Sequence, residues 1–272
     1  MQTIIPEDEK KVLHPVAIFK EGWSLCFKNL QSFIGPYLVI YLPILLLALI
    51  EMGMTRTNKP DLRQTLMGLV NIILSCWGSV VIINIAKKIS DGQQCNFSAS
   101  FKGSGKYLLS YLGAAIIMLL VLSAIILCGV TLSIFAGRIF WQINRVLTVL
   151  LICASMVAAV SGVVYFSIRW ALYGTLCVVE EAGPIKALKR SFQLVRNYVT
   201  AFVADVGLLF LAAFVFIIPL IIIAFVVTDK MAINFISIFY NILIRLLIIP
   251  LWSLVFIGFY KKAQECIPET KK

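Results

Sequence analysis

Charge is scarce in this 272-residue sequence: only 14% of its residues are Asp, Glu, Lys or Arg, whereas 61% are hydrophobic and the mean hydropathy is +0.97. An ordinary globular domain carries about 25% charged residues. The same figures exclude disorder, because a disordered chain combines low hydrophobicity with high charge. The composition therefore predicts a membrane protein and argues against a soluble domain.

Residues that enzymes and metal sites need are also few. The one histidine, His14, precedes Pro15 near the N-terminus, and we interpret it as a solvated residue. No HExxH motif or Ser–His–Asp set is evident, and the seven cysteines lack CxxC spacing. The GSGK sequence at 103–106 lacks the first glycine and the following Ser or Thr of a phosphate-binding loop. We therefore predict no catalytic residue, no metal site and no cofactor.

Long apolar runs are what the sequence does contain. Each is long enough to form a helix across a hydrocarbon core of about 30 Å, and none shows the alternation of a barrel strand. We predict an all-α polytopic membrane protein with six transmembrane helices, at about 33–52, 65–86, 107–136, 146–179, 198–228 and 232–260. Prolines within these runs predict kinks at Pro36, Pro43, Pro219 and Pro250.

Basic residues are shared unequally between the two sides of the predicted membrane domain. The N-terminal segment, the 87–106 and 180–197 connections and the C-terminal segment hold sixteen Lys and Arg, against six in the other connections. The positive-inside rule therefore predicts both termini in the cytoplasm. The organisation is a cytoplasmic tail and interfacial helix at 1–32, a six-helix membrane domain at 33–260 and a cytoplasmic tail at 261–272.

Three segments on the predicted cytoplasmic side combine apolar and basic residues. We predict that each is an amphipathic helix at the membrane interface, so that the fold has three such helices that begin near residues 16, 96 and 184. Each precedes two spans, which indicates an internal repeat. The net charge of +11 then indicates topology and lipid contact, with no nucleic acid as a partner. The residues predicted to contact anionic headgroups are Lys102, Lys106, Lys186, Lys189, Arg190 and Arg196. The predicted apolar faces comprise Val16, Phe19, Trp23 and Phe27, then Phe97 and Phe101, then Ile185, Leu188, Phe192 and Val195.

Three charged residues lie inside the predicted spans, where each costs at least about 2.5 kcal/mol and needs a partner or water. Asp205 and Arg169 lie at similar depths, and Arg245 is deeper. We predict that Asp205 pairs with Arg169, with Arg245 as the alternative partner. Such a pair could fix the bundle or form a substrate or proton site, and we favour the first.

Small residues recur every fourth position on two consecutive spans. Gly129, Ser133 and Gly137 form one stripe, and Ala154, Ala158 and Gly162 form the other. Such stripes let helices approach closely, so we predict that the third and fourth spans pack together.

The segment 169–202, RWALYGTLCVVEEAGPIKALKRSFQLVRNYVTAF, resembles the membrane domain of bacterial glycerophosphodiester phosphodiesterases and the stand-alone YciC-type membrane proteins. The family motif is matched here by Arg169, Glu180, Gly183, Pro184, Ala187, Leu188, Arg190, Ser191, Leu194 and Asn197. The stretch Arg196-Asn197-Tyr198 departs from the motif, since that family often has a glycine before the aromatic residue. The resemblance implies a bacterial cytoplasmic (inner) membrane protein. It implies no phosphodiesterase activity, because that chemistry belongs to a separate soluble barrel.

Two functions from different classes follow. The first is a non-enzymatic integral membrane module, acting as a scaffold, an assembly factor or a lipid-contacting partner. Its partners would be membrane lipids with anionic headgroups and possible membrane proteins. The alternative is a transporter or permease for a lipid or small amphiphile, with Arg169, Asp205 and Arg245 along a polar path. An intramembrane enzyme is third, since no convincing nucleophile and base are found.

Overall fold

The computed structural model describes residues 13–53, 62–93, 101, 103–142, 144–226 and 230–266. These residues are almost entirely helical, and no strand occurs among them. The helices are α1 (Pro15–Lys28), α2 (Leu30–Gly53), α3 (Leu62–Ser90), α4 (Gly105–Phe140), α5 (Arg145–Trp170), α6 (Tyr173–Val179), α7 (Pro184–Asn197), α8 (Val199–Val226) and α9 (Lys230–Glu265).

The protein is an all-α polytopic membrane protein, as its apolar runs predict. Within the described ranges, five helical stretches are long and apolar enough to cross a bilayer, and α2 contributes a shorter apolar stretch, Leu30–Pro43. The five are Gly68–Ser90, Gly105–Phe140, Arg145–Val179, Val199–Pro219 and Leu246–Glu265. Helices α2, α8 and α9 continue through the four prolines at which kinks are predicted.

The core lies towards one end of the bundle. Residues 80–86 of α3, 174–178 of α6 and 253–257 of α9 are all buried. By contrast, the long helices α4 and α5 are mostly exposed and pack chiefly on each other. Exposed apolar side chains on these two helices are expected in a protein whose surroundings are lipid.

The predicted fourth span is not one continuous helix. Helix α5 ends at Trp170, residues 171–172 form a turn, and α6 begins at Tyr173. Gly174 is buried and residues 175–178 are 3% exposed or less, so α6 is a short helix enclosed by the rest of the bundle. The hydropathy pattern could not indicate this break, because the residues on both sides of it are equally apolar.

Helix α1 forms where the first interfacial helix is predicted, and one of its faces packs on protein. Its buried residues are Ile18, Gly22 and Cys26, which repeat every four positions and face α9. A Cβ atom at Gly22 would lie 2.8 Å from Cγ2 of Val255, so the glycine permits close approach of the two helices. Val16 and Phe27, on the predicted bilayer-facing side, are 57% and 47% exposed. The packing face of α1 is therefore centred on Ile18, Gly22 and Cys26, and Phe19 and Trp23 are half-buried beside it.

The other predicted interfacial helices have different outcomes. Residues 94–100 and Lys102 lie outside the described residues, so the second helix is not described. Helix α7 forms as predicted, but its buried residues, which include Ala187, Leu188 and Leu194, pack against neighbouring helices. Ile185, predicted on the apolar face, is 73% exposed. The apolar side of α7 therefore contacts protein where we had predicted bilayer.

The small-residue stripes do bring α4 and α5 together, but in a shifted register. A Cβ at Gly129 would lie 2.5 Å from Cβ of Ala159, and the hydroxyls of Ser133 and Ser155 are 2.6 Å apart. Ala154 and Ala158, which the sequence placed in the stripe, are exposed. The contact face of α5 therefore comprises Ser155 and Ala159, one position further along, together with Gly162 of the predicted stripe.

We predict that Gly129→Val lowers the free energy of unfolding by about 1–3 kcal/mol, because the new side chain must displace Ala159. Thermal unfolding in detergent, followed by circular dichroism, measures the change. Gly137→Val is the matched control, since nothing lies within 4 Å of a Cβ there. Equal losses in both variants would contradict a close contact specific to Gly129, and Ala159→Gly should partly rescue Gly129→Val.

Candidate functional site

The side chain of Ser191 stabilises the break between α5 and α6. The Ser191 hydroxyl donates a hydrogen bond to the Arg169 carbonyl oxygen at 2.8 Å and accepts one from the Leu172 backbone N–H at 3.2 Å. A break in a membrane helix frees backbone groups that lipid cannot satisfy. Ser191, which is fully buried on α7, therefore satisfies two of them. Ser191 thus stabilises an interrupted helix.

Glu180 joins three helices at the end of α6. Its Oε1 atom accepts hydrogen bonds from the Tyr260 hydroxyl at 3.0 Å and the Gln264 amide at 3.3 Å, both on α9. The Nε atom of Arg190, on α7, lies 3.6 Å from the same oxygen. Charge-assisted contacts of this kind are stronger than neutral hydrogen bonds.

Glu181 faces a fourth helix. Its Oε1 atom accepts hydrogen bonds from Lys106 Nζ at 2.7 Å and from the Tyr107 hydroxyl at 2.8 Å, at the start of α4. The hydrogen bonds from Lys106 and then Tyr107 hold the pKa of the Glu181 carboxyl below its ordinary value of 4.5. The Glu181 backbone has φ of 52°, a left-handed conformation that is uncommon outside glycine. This turn lets successive glutamates point to different helices.

We call Glu180, Glu181 and the side chains that contact them the glutamate junction. Two lysines extend it to α3. Lys87 Nζ donates to the carbonyl oxygens of Val178 and Val179, at the C-terminal end of α6. A cation there also opposes the negative end of the helix dipole. Lys261 of α9 donates to the Ser90 carbonyl and lies 2.7 Å from Asp91 Oδ1, so α9 is tied to the end of α3 as well.

The glycine and proline of the family motif shape the entry to α7. Gly183 precedes the helix with an extended backbone, and Pro184 is its first residue. A Cβ atom at Gly113 of α4 would lie 2.9 Å from the Pro184 ring, so the start of α7 fits closely on α4. Ala187 and Leu188 are buried one turn later. These motif residues therefore seat α7 on the bundle.

The residues predicted to contact headgroups divide into two groups. Lys106 and Arg190 contact the carboxylates of Glu181 and Glu180, respectively. Lys186, Lys189 and Arg196 are exposed on α7. Lys102 lies outside the described residues. The sequence pattern identified cations on one side of α7 but did not indicate that Arg190 belongs to an internal contact.

An open cleft of about 420 Å³ lies beside α7. Its apolar wall is formed by Ile117 of α4, Trp170 of α5, and Leu188 and Phe192 of α7. Polar residues of α7 also line it, namely Lys189, Gln193 and Arg196. The cleft, which we call the α7 cleft, therefore combines an apolar surface with two cations.

The predicted ion pair between Asp205 and Arg169 is not formed among the described residues. The Asp205 side chain is fully buried, and neither carboxylate oxygen has a hydrogen-bond partner there. The Arg169 guanidinium lies over the rings of Tyr165 and Phe192, with Cζ 5.1 and 5.4 Å from their centroids. Cation–π contacts can stabilise such a group.

The packing of the helices explains why this pair does not form. Helix α5, with Arg169, packs on α4 and α7, whereas α8, with Asp205, packs on α1 and α9. Equal depth in two helices does not bring their side chains together unless the helices are neighbours. Arg245 belongs to α9, and its side chain lies outside the described part of the structure.

Sequence reasoning missed Glu181, Tyr107 and Lys87 as members of the junction. One signal was present: two adjacent glutamates end a long apolar run and precede a strongly basic helix. No group of three or more His, Cys, Asp or Glu side chains suited to a metal ion occurs within the described ranges. Comparisons of the chain with protein-family models, curated proteins and solved structures find no match.

We predict that Ser191→Ala lowers the free energy of unfolding by about 2 kcal/mol, because it leaves the Leu172 N–H unpaired in a buried position. Denaturation in mixed micelles measures the loss. Ser161→Ala, at an exposed position of α5, is the control and should change stability little. A Ser191→Ala protein as stable as the wild type would show that the break does not depend on this side chain.

For Asp205→Asn we predict an unchanged free energy of unfolding or an increase of about 1 kcal/mol, because an amide costs less to bury than an unpartnered carboxylate. Thermal unfolding in lipid nanodiscs is the measurement. Asp91→Asn, which removes an exposed ion pair with Lys261, should cost at most about 1 kcal/mol. A loss above about 2 kcal/mol for Asp205→Asn would instead indicate a charged partner, for which Arg245 is the candidate.

Proposed function

We propose that this chain is a non-enzymatic membrane module whose α7 cleft binds an anionic membrane lipid. The observation that carries this proposal is the composition of the cleft, in which an apolar wall is joined to Lys189 and Arg196. An anionic lipid has the matching parts: acyl methylenes for the wall and a phosphate for the cations. Arginine and lysine both bind phosphate, and arginine can do so through two parallel hydrogen bonds.

The apolar wall distinguishes a bound lipid from a general attraction to the membrane surface. Each buried methylene contributes about 0.8 kcal/mol relative to water, although a lipid already in the bilayer gains less. Each basic residue near an anionic surface contributes about 1 kcal/mol. The proposed selectivity for anionic lipids therefore comes from the cations, and the shape of the apolar wall determines where the acyl chain of the lipid lies.

The glutamate junction supports a scaffold more than a transporter. It joins α3, α4, α7 and α9 to the end of α6 through hydrogen bonds and ion pairs. A polar path of the kind that a transporter needs would require Arg169 and Asp205 on a common route. Their helices pack on different neighbours, so we propose lipid binding and partner contact in preference to transport.

The cellular setting is part of the same proposal. We propose a bacterial inner membrane with both termini in the cytoplasm, because the ends of the helices that carry the junction hold most of the basic residues. The resemblance of 169–202 to the phosphodiesterase membrane domain is also a proposal. It is supported by Ser191, Glu180 and Pro184, which each make specific contacts. A membrane protein partner of this module is a further expectation.

The lipid proposal predicts that Lys189→Ala and Arg196→Ala each weaken binding of phosphatidylglycerol about fivefold, the effect of losing about 1 kcal/mol per cation. Native mass spectrometry of the detergent-solubilised protein, titrated with phosphatidylglycerol or phosphatidylcholine, measures retention of each lipid. Lys186→Ala is the matched control, because this lysine is on α7 but outside the cleft.

A variant of the apolar wall tests the second half of the proposal. Ile117→Trp should fill part of the cleft and reduce retention of phosphatidylglycerol while all the cations remain. Equal retention of the anionic and zwitterionic lipids would contradict the proposal. So would a Lys186→Ala loss as large as that of Lys189→Ala, because binding would then follow total charge and not the cleft.

A further inference from the structure

A second cavity, of about 190 Å³, lies between α3, α4, α6 and α9. It is separate from the α7 cleft, since the two share no lining residue. At about 30 Å³ for each molecule of liquid water, the volume corresponds to roughly six waters. Counted along the helices, its polar residues lie roughly 6–18 Å from the helix ends at the glutamate junction, which places them within the spans.

Hydroxyl groups from all four helices line this cavity. They belong to Ser79 of α3, Tyr111 of α4, Tyr173 and Thr175 of α6, and Ser253 of α9. Five hydroxyls around one small space are unusual within spans that are otherwise strongly apolar. The interruption before α6 creates this arrangement, because it places Tyr173 and Thr175 beside α3 and α4.

The hydroxyls are held in place before any ligand arrives. The rings of Tyr111 and Tyr173 pack on each other with their centroids 5.2 Å apart, and the Ser79 hydroxyl donates to the Ser75 carbonyl oxygen at 3.0 Å. Ser253 donates to the Ile249 carbonyl oxygen at 2.9 Å, so its own oxygen can still accept a hydrogen bond. Gly174 allows the close approach, since a Cβ atom there would lie 2.7 Å from the Tyr111 ring. A preorganised set of donors and acceptors reduces the entropic cost of binding.

The lining also indicates the charge of the ligand. None of the described residues that line the cavity is Asp, Glu, Lys, Arg or His. An ionised ligand would therefore be buried without an opposite charge, which is costly at this depth. The aromatic side chains of Trp252 and Phe256 also line the cavity, and such side chains can pack on the C–H groups of a ring.

We propose that this cavity binds a neutral polyhydroxyl group about the size of one sugar ring. The group could belong to a free sugar or to the headgroup of an uncharged glycolipid, and both present the same hydroxyls. Tyr173 and Thr175 contribute hydrogen bonds, and Trp252 supplies the apolar face. This site does not depend on the lipid proposed for the α7 cleft.

Saturation-transfer NMR on the full chain in nanodiscs tests the free-sugar source, with glucose as the probe and glucose 6-phosphate as its charged counterpart. Native mass spectrometry with monoglucosyl diacylglycerol, compared with diacylglycerol, tests the glycolipid source. We expect saturable binding in at least one arm and preference for the neutral sugar. Each of Tyr173→Phe and Thr175→Val should weaken that binding about fivefold, as expected for one lost hydrogen bond.

Tyr165→Phe is the matched control, because it removes a tyrosine hydroxyl outside this cavity and should leave sugar binding unchanged. Both cavity variants preserve side-chain shape, and their melting temperatures are measured alongside. Absence of saturable binding in both arms would overturn the proposal, as would equal binding by the folded cavity variants and the wild type. Binding of glucose 6-phosphate as tight as that of glucose would also overturn it. Lys189→Ala should leave sugar binding intact, which separates this site from the α7 cleft.

Discussion

Two adjacent carboxylates, those of Glu180 and Glu181, connect the helices at one end of this bundle. Helices in a bilayer gain little from the hydrophobic effect when they associate, because lipid is as apolar as their side chains. Polar contacts at the helix ends therefore have a large share in fixing the arrangement. Glu180 contacts α7 and α9, while Glu181 contacts α4 through Lys106 and Tyr107. The left-handed backbone at Glu181 separates the two directions.

The short enclosed helix α6 connects this junction with the rest of the molecule. Its preceding break is stabilised by Ser191, and its end is fixed by Lys87 and the junction. The break gives a membrane-depth segment that presents Tyr173 and Thr175 to neighbouring helices. The interruption before α6 therefore accounts both for the contact of α7 with the break and for the cavity lined by hydroxyl-bearing residues. The α7 cleft, which contains Lys189 and Arg196, shares no lining residue with that cavity.

The spans were predictable because hydropathy and length are properties of each segment alone. The predicted 107–136, for example, lies within the observed Gly105–Phe140. The break at 171–172 was not predictable, since it depends on a hydroxyl that comes from α7. Likewise, Arg169 and Asp205 were paired by depth, but only the neighbours of α5 and α8 decide which side chains meet. Ser191 and Glu180 were identified through a resemblance, and their contacts give physical reasons for their presence.

The packing of α1 on α9 has a consequence for how the protein is made. Gly22 lies against Val255, so α1 packs closely on α9, which follows it by more than 200 residues in the sequence. Glu180 likewise meets Tyr260 and Gln264 only after at least 80 further residues have been synthesised. Helix α1 and the end of α6 must therefore enter the membrane before α9, on which both depend for their contacts, has been made.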